Sequence, residues 1–109
     1  MLDKMIAQSD FVVNYIPPAY QVETAKLCLK HKKHMTHTDF TFPEVYAMDA
    51  EAKKADIIFL NEIGEDPGID HMGIMKSLDE IKRKGGKVIS LDSYGAGLPS
   101  FEDNRNPFG

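Results

Sequence analysis

Three short segments with the length of strands alternate with longer amphipathic segments through most of this chain. Those at residues 11–16 and 57–60 are largely apolar and predict buried core strands, and a third short strand is predicted between them at residues 35–38. The amphipathic segments predict helices over residues 19–30, 43–54 and 67–84, the last ended by Gly85 and Gly86, which supply the left-handed residue of a C-cap. Because the connections are only a few residues long, consecutive strands must lie parallel and be joined by right-handed crossovers through the helices. The sequence therefore predicts an α/β fold of order β-α-β-α-β-α, one half of a doubly wound parallel sheet.

The pattern changes after the third predicted helix. Residues 87–93 alternate, with Val88, Ile89 and Leu91 among polar neighbours, and predict a strand of a second sheet. Residues 94–109 contain too many Gly, Pro, Asn and Asp residues for regular structure. We therefore expect the parallel half-sheet to lead into the first strand of a different, α+β domain.

The most charged stretch follows the third predicted strand, at residues 61–71, and reads NEIGEDPGIDH. Asp66 is the predicted N-cap of the next helix and Pro67 its first residue, since proline there loses only an N–H without a partner. Good capping alone explains these residue types. It does not explain five titratable groups around one helix terminus, namely Glu62, Glu65, Asp66, Asp70 and His71. We interpret several of them as facing a ligand or a partner domain.

The carboxyl ends of the predicted strands open on one edge of the sheet, where α/β proteins of this topology bind ligands. Residues 15–17, 37–39 and 61–62 lie at these ends, and a ligand in the crevice would touch all of them. No Gly-x-Gly-x-x-Gly turn, the usual cradle for a dinucleotide pyrophosphate, occurs in the sequence. The chain therefore supplies half of a binding site.

Composition excludes several other functions. The net charge of −4 gives no general attraction to nucleic acid, and no apolar run approaches the roughly 18 residues of a membrane helix. The single cysteine, Cys28, lies in a helical pattern and is predicted to be buried, so we expect no disulfide and a cytoplasmic setting. His31, His34 and His37 are close in sequence, but their spacing sends the side chains to different faces, and we expect no metal site.

Three motifs resemble those of one enzyme family. Residues 9–17, SDFVVNYIP, are similar to the "SD-V-S-IP" strand of the saccharopine reductases, the glutamate-forming saccharopine dehydrogenases of lysine metabolism. Residues 61–72, NEIGEDPGIDHM, resemble the family's most recognisable stretch. Residues 94–99, YGAGLP, with Glu102, Asp103, Asn106 and Pro107, resemble its "YCGGLP…ED…NP" segment. The similarity runs without gaps from Ser9 to Gly109.

The resemblance implies an internal piece of a longer oxidoreductase. Residues 1–68 would be the C-terminal half of a Rossmann-like dinucleotide-binding domain, whose glycine-rich turn precedes Met1, and residues 69–109 would begin the substrate domain. The implied cofactor is NADP, or NAD, and the implied substrate is a small-molecule amino acid such as saccharopine. Saccharopine is oxidised in this family at the carbon bonded to its secondary amine, which gives glutamate and an aminoadipate semialdehyde. The expected partner is the remainder of the dehydrogenase or another copy in a homo-oligomer.

The same resemblance assigns the site residues. Cofactor contacts are implied at six positions: Tyr15, Thr38, Asp39, Glu65, Asp66 and Pro67. Substrate contacts are implied at Asp39, Phe40 and Asp66. The general acid or base stays open among His71, Glu62 and Asp39, because only geometry can choose between them.

Several residues depart from the family pattern. Thr38, Asp39 and Phe40 stand where the family commonly has Ser-Ser-Tyr, so a hydroxyl becomes a carboxylate and a phenol is lost. Glu65 adds a negative charge beside Asp66. Gly95 and Ala96 stand where the family has a cysteine followed by glycine. The substrate is therefore expected to be saccharopine or a similar amino acid. The alternative is a non-catalytic half-domain that completes a partner chain's sheet, and in either case we expect the isolated chain to be inactive.

Overall fold

The computed structural model describes residues 1–97 and has a three-stranded parallel sheet with helices packed on one face. The helices and strands are, in chain order, α1 (Leu2–Gln8), β1 (Phe11–Asn14), α2 (Gln21–His31), β2 (His34–His37), α3 (Pro43–Tyr46), α4 (Asp49–Lys54), β3 (Phe59–Leu60) and α5 (Ile69–Arg83), with a 3-10 turn at Pro18–Tyr20. The strand order is β1-β2-β3, and Asn14 pairs with His37 while Thr36 pairs with Leu60. The α/β class and the parallel sheet predicted from the sequence are confirmed.

The core lies between β2 and the helices. Its buried apolar residues come from the central strand and from helices α1 to α3 with the turn that follows: Ile6, Ala25, Cys28, Met35, Val45 and Met48. Helix α2 buries residues three and four apart, the spacing that places side chains on one face. Burial raises the pKa of the Cys28 thiol to about 11, so the thiol is protonated at neutral pH and is a poor nucleophile.

The other face of the sheet is open. Phe11 and Val13 of β1 and Leu60 of β3 lie on that face and are each about half exposed. The prediction of buried core strands at 11–16 and 57–60 is therefore wrong in part, because both are edge strands whose second face is uncovered within residues 1–97. Parallel sheets in other proteins are almost always covered on both faces. This apolar face is consequently a place where further polypeptide would pack.

Two predicted helices have different bounds from those expected. The helix predicted over residues 43–54 is broken between α3 and α4, where the N–H of Met48 bonds to the carbonyl of Val45 in a tighter turn. Helix α5 ends as predicted at the glycine pair. Gly85 has φ of 76°, and the N–H of Gly86 bonds to the carbonyl of Ile81, which is the Schellman arrangement.

The start of α5 differs from the sequence prediction. Asp66 is not its N-cap, and Pro67 is not its first residue: the helix begins at Ile69. The N–H groups of Ile69 and Asp70 bond instead to the carbonyls of Gly64 and Glu65, because the chain from Gly64 to Gly68 folds back on itself. Backbone carbonyls thus accept the hydrogen bonds that a side-chain N-cap would otherwise have accepted.

The strand predicted over residues 87–93 is absent. Residues 86–97 contain neither helix nor strand, and Val88 and Leu91 instead line a groove beside Ile74 and Leu78 of α5. A strand needs a neighbour for its backbone hydrogen bonds, and this segment has none within the described residues. The family-like residues Leu98 and Pro99 and the later motif positions lie outside those residues. Among the helices described, not one combines the length and the apolar character needed to span a membrane.

Candidate functional site

A cavity of about 570 Å³ lies at the carboxyl ends of β1 and β2. The Asn14 side chain accepts the N–H of Ile16 at 3.1 Å and so turns the chain at the end of β1, leaving Tyr15 exposed at the rim. Thr38 and Asp39 follow β2, and Asp66 reaches the same cavity from the turn before α5. Tyr15, Thr38 and Asp39, which the strand ends assigned to one crevice, therefore line one cavity together with Asp66, a contact that the resemblance implied. The expectation that one ligand would touch all three strand ends is wrong for residues 61–62, which do not line this cavity; the Glu62 side chain bonds instead to the loop after β2.

Asp66 also lines an adjoining cavity of about 420 Å³ with Thr38, Glu65 and Gly95. Gly95 lies so close that a Cβ atom placed on it would be 2.5 Å from Oδ2 of Asp66. The glycine that replaces the family's cysteine therefore leaves the room that the Asp66 carboxylate occupies. Pro67, by contrast, is buried inside the 64–68 turn, and its carbonyl accepts the N–H of Gly64 at 2.9 Å.

Glu62 is held by hydrogen bonds to the loop that follows β2. Its Oε1 atom accepts the N–H of Thr41 at 3.0 Å and the hydroxyl of Tyr46 at 3.3 Å. These donors favour the ionised form, the N–H of Thr41 most, and hold the pKa of Glu62 below its ordinary value. A carboxylate with a lowered pKa is a weak proton acceptor, which counts against Glu62 as the general base.

His71 and Asp70 form a hydrogen-bonded pair at the start of α5. Nδ1 of His71 lies 2.8 Å from Oδ1 of Asp70, and the same oxygen accepts the N–H of Gly68 at 2.9 Å. The Asp70 carboxylate raises the pKa of His71, by its hydrogen bond and then by its charge. Burial raises the pKa of Asp70, but the hydrogen bonds from His71 and Gly68 outweigh it, and the net shift is downward. The free nitrogen of the ring, Nε2, is left to exchange protons.

Asp66, Asp70 and His71 each offer a ligand atom, and these atoms lie within 4.8 Å of one another. The hydrogen bond between Asp70 and His71 accounts for the closeness of those two residues, and the turn before α5 brings Asp66 beside them. The three histidines considered from the sequence are engaged separately. His31 pairs with Asp3, while Nδ1 of His34 and of His37 each accept a backbone N–H, from Ile58 and Asp39 respectively.

Replacing Asp70 with Asn is expected to lower the pKa of His71 toward the ordinary histidine value. The substitution removes the charge that favours the imidazolium, while an amide oxygen can still accept the N–H of Gly68. Titration of the His71 ring protons by NMR measures the change. Asp79→Asn, farther along the same helix, removes an equal charge and should leave that pKa in place. An unchanged pKa in Asp70→Asn would show that Asp70 does not set it.

Two buried polar residues beside the cavity were missed from the sequence. Gln21 and Asn14 are 1% and 7% exposed, and both line the strand-end cavity. The sequence contained a signal for Gln21: it is a large polar residue on the face of α2 whose other buried residues are small or apolar. Its meaning depends on a loop 19 residues away in sequence, which the helix pattern does not reveal.

A parallel sheet whose strand ends surround a cavity of this kind defines the chain as part of an α/β domain of the Rossmann-like class. Residues 1–60 match the family model of the saccharopine dehydrogenase NADP binding domain, and residues 64–109 match that of the saccharopine dehydrogenase C-terminal domain. The chain belongs to the saccharopine dehydrogenase family, and the resemblance found in its motifs is confirmed.

Individual relatives agree with this assignment. The chain is 40% identical to a "Saccharopine dehydrogenase [NADP(+), L-glutamate-forming]" of Schizosaccharomyces pombe over 99% of its length and 24% of that protein, with the same figures for the Saccharomyces cerevisiae enzyme. It is 39% identical to an alpha-aminoadipic semialdehyde synthase of Arabidopsis thaliana over 95% of the chain and 10% of that protein. Apo saccharopine dehydrogenase (L-Glu forming) from Saccharomyces cerevisiae has a similar structure, with a TM-score of 0.70 at 36% identity over 77% of this chain and 19% of that chain. The chain thus spans about a quarter of the fungal relatives' length.

Proposed function

We propose that the protein carrying this chain is an oxidoreductase that uses NADP to oxidise the CH–NH group of saccharopine or a similar amino acid. The observation that carries the proposal is the strand-end cavity, where Tyr15, Thr38, Asp39 and Asp66 meet in a chain of this family. Residues 1–68 would form half of the cofactor domain, and residues 69–109 would begin the substrate domain. The remaining parts of the site would come from polypeptide outside this chain.

The residues at the strand ends fit the nicotinamide end of the cofactor. The cavity lies where the strands of a parallel sheet present their carboxyl ends, and its wall includes the exposed ring of Tyr15 and the hydroxyl of Thr38. A bound nicotinamide supplies the hydride acceptor for such an oxidation. Because the chain has no glycine-rich turn, the pyrophosphate would be held elsewhere in the protein.

Asp39 and Asp66 suit an amino-acid substrate with amine groups. Both carboxylates line the strand-end cavity, and each attracts an ammonium or a protonated secondary amine. Phe40 lies next to Asp39 and is largely exposed, so its ring is available to the substrate's aliphatic chain. The carboxylate at position 39, where the family has a hydroxyl, favours a substrate with an additional positive charge at that point.

His71 is the residue we assign as proton carrier. Hydrolysis of an imine takes a proton from water and gives one to the departing amine, and a histidine with a raised pKa can do both near neutral pH. Asp70 holds the ring through Nδ1, and the side chain is 63% exposed beside Asp66. Glu62 is hydrogen-bonded to Thr41 and Tyr46, and we assign Asp39 to the substrate's amine.

The proposal is tested with the native protein purified from its source. The protein is mixed with saccharopine and either NADP or NAD, and reduced nicotinamide is followed by absorbance. We expect reduction that depends on saccharopine and is faster with NADP. Absence of reduction with saccharopine and with other secondary amino acids would overturn the proposal.

A non-catalytic half-domain is the second candidate. Within the part of the chain that the structure describes, one face of the sheet is uncovered and the outer edges of β1 and β3 are unpaired, which favours it, since open edges invite pairing with another chain. The intact mass of the native protein that contains residues 61–71 separates the two. A mass several times 12.2 kDa supports the dehydrogenase, whereas a mass near 12.2 kDa supports a half-domain with a partner.

A further inference from the structure

The loop that joins β2 to α3 has an unusual set of hydrogen bonds. The backbone N–H groups of residues 39–42 all bond to side chains. The N–H of Asp39 donates to Nδ1 of His37 at 3.0 Å, and the N–H of Phe40 donates to Oδ1 of Asp39 at 2.8 Å. The N–H of Thr41 bonds to Oε1 of Glu62 at 3.0 Å, and that of Phe42 bonds to Oε1 of Gln21 at 2.7 Å. Residues 39–42 are therefore fixed by side chains rather than by a helix or a strand.

Gln21 contributes two bonds to this arrangement. Its Nε2 atom donates to the carbonyl of Phe40 at 2.8 Å while its Oε1 atom accepts from Phe42, so one amide spans the loop backbone. Gln21 is 1% exposed and begins α2, whose other buried residues pack against the core. Displacement of the loop would leave both polar atoms of the Gln21 amide without partners. Because an unpaired buried amide costs free energy, this bonding stabilises the observed position of the loop.

We infer that Gln21 is a positioning residue for the reaction: it holds residues 39–42 so that Asp39 stays at the strand-end cavity and Phe40 stays next to Asp39. Both polar atoms of its amide are engaged by the loop, so Gln21 acts through Asp39 and Phe40 and not on the reacting atoms. The inference rests on the proposed function, because it takes Asp39 and Phe40 as substrate contacts. Small displacements of such contacts are enough to reduce catalysis strongly.

The first test compares Gln21→Leu with a matched control in the native protein. Thr24→Val is the control: Thr24 is also buried in α2, its hydroxyl donates to the carbonyl of Tyr20, and it has no bond to the loop. We expect Gln21→Leu to speed amide exchange in residues 39–42 about 5- to 10-fold. We expect it to lower kcat/KM for saccharopine about 10- to 100-fold. Thr24→Val should leave the exchange rates of residues 39–42 and kcat/KM within about threefold of the wild type, even if it lowers Tm as much as Gln21→Leu does.

The second test uses pH with Gln21→Glu. A protonated carboxyl can donate to the Phe40 carbonyl and accept from Phe42 as the amide does, whereas the carboxylate cannot donate. Burial raises the pKa of the introduced carboxyl, so the protonated form gains as pH falls. The ratio of the variant's kcat/KM to that of the wild type should therefore rise as pH falls. This variant also serves if Gln21→Leu fails to fold.

The outcomes separate the two proposals. Unchanged exchange in residues 39–42, or faster exchange with unchanged kcat/KM, would overturn the role of Gln21. A flat activity ratio in Gln21→Glu across pH would do the same. If the wild type oxidises no amino acid, the proposed function fails by itself. The exchange comparison then decides whether Gln21 holds the loop.

Discussion

Asp66→Asn is expected to lower kcat/KM for the amino-acid substrate about 100-fold in the native protein, with little loss of stability. The carboxylate is exposed where the two cavities adjoin, and we propose it as the charge that meets the substrate's amine. Removing one partner of a desolvated charge pair costs about 2 to 5 kcal/mol, and the expected 100-fold loss of kcat/KM corresponds to an energy within this range. Asp66 does not cap α5, and an amide has the same shape beside Gly95, so the fold should be kept.

Steady-state kinetics, native mass and Tm are measured on the same preparations. Asp56→Asn is the control, because Asp56 is an exposed acid just before β3, at the opposite end of the sheet from the cavity. Asparagine also tolerates its positive φ of 56°. The control should stay within about twofold of the wild type in kcat/KM. Equal losses of activity and of assembly in Asp66→Asn would instead indicate a structural role for Asp66.

Periodic features of the sequence predicted their structures well. The spacing of buried residues placed α2, and Gly85 with Gly86 marked the end of α5, because a left-handed C-cap is a local requirement. The beginning of α5 was predicted wrongly from equally local evidence. Asp66 and Pro67 have the right chemistry for a helix start, but carbonyls of Gly64 and Glu65 had already taken the first donors. The segment at 87–93 shows the same limit, since alternation predicts a strand without supplying its partner.

The candidate site divides in a similar way. Topology alone brought Tyr15, Thr38 and Asp39 to one edge, since parallel strands end together. The bonds that hold this edge in shape join residues about 20 positions apart, as Gln21 and Glu62 do with the loop. No spacing rule within one helix or strand contains such contacts. The raised pKa of His71 likewise depends on the rotamer that brings its Nδ1 to Asp70.

Gly68→Ala is expected to destabilise the protein by about 3 kcal/mol or more. Gly68 has φ of 149°, a conformation that side chains disfavour, and its Cβ would collide with the carbonyl oxygen of Gly64. That carbonyl accepts the N–H of Ile69, so the collision would separate the turn from the first residues of α5. Because the turn carries Asp66 and the helix carries His71, activity should fall together with stability.

Gly73→Ala provides the matched substitution on the same helix. Nothing lies within 4 Å of a Cβ placed on Gly73, and alanine is the better helix former. We expect Gly73→Ala to raise stability by about 0.5 to 1 kcal/mol, opposite in sign to Gly68→Ala. Chemical denaturation of both variants measures the difference. Similar small changes at the two positions would mean that the 64–68 turn relaxes without strain, and the start of α5 would then be looser than its hydrogen bonds indicate.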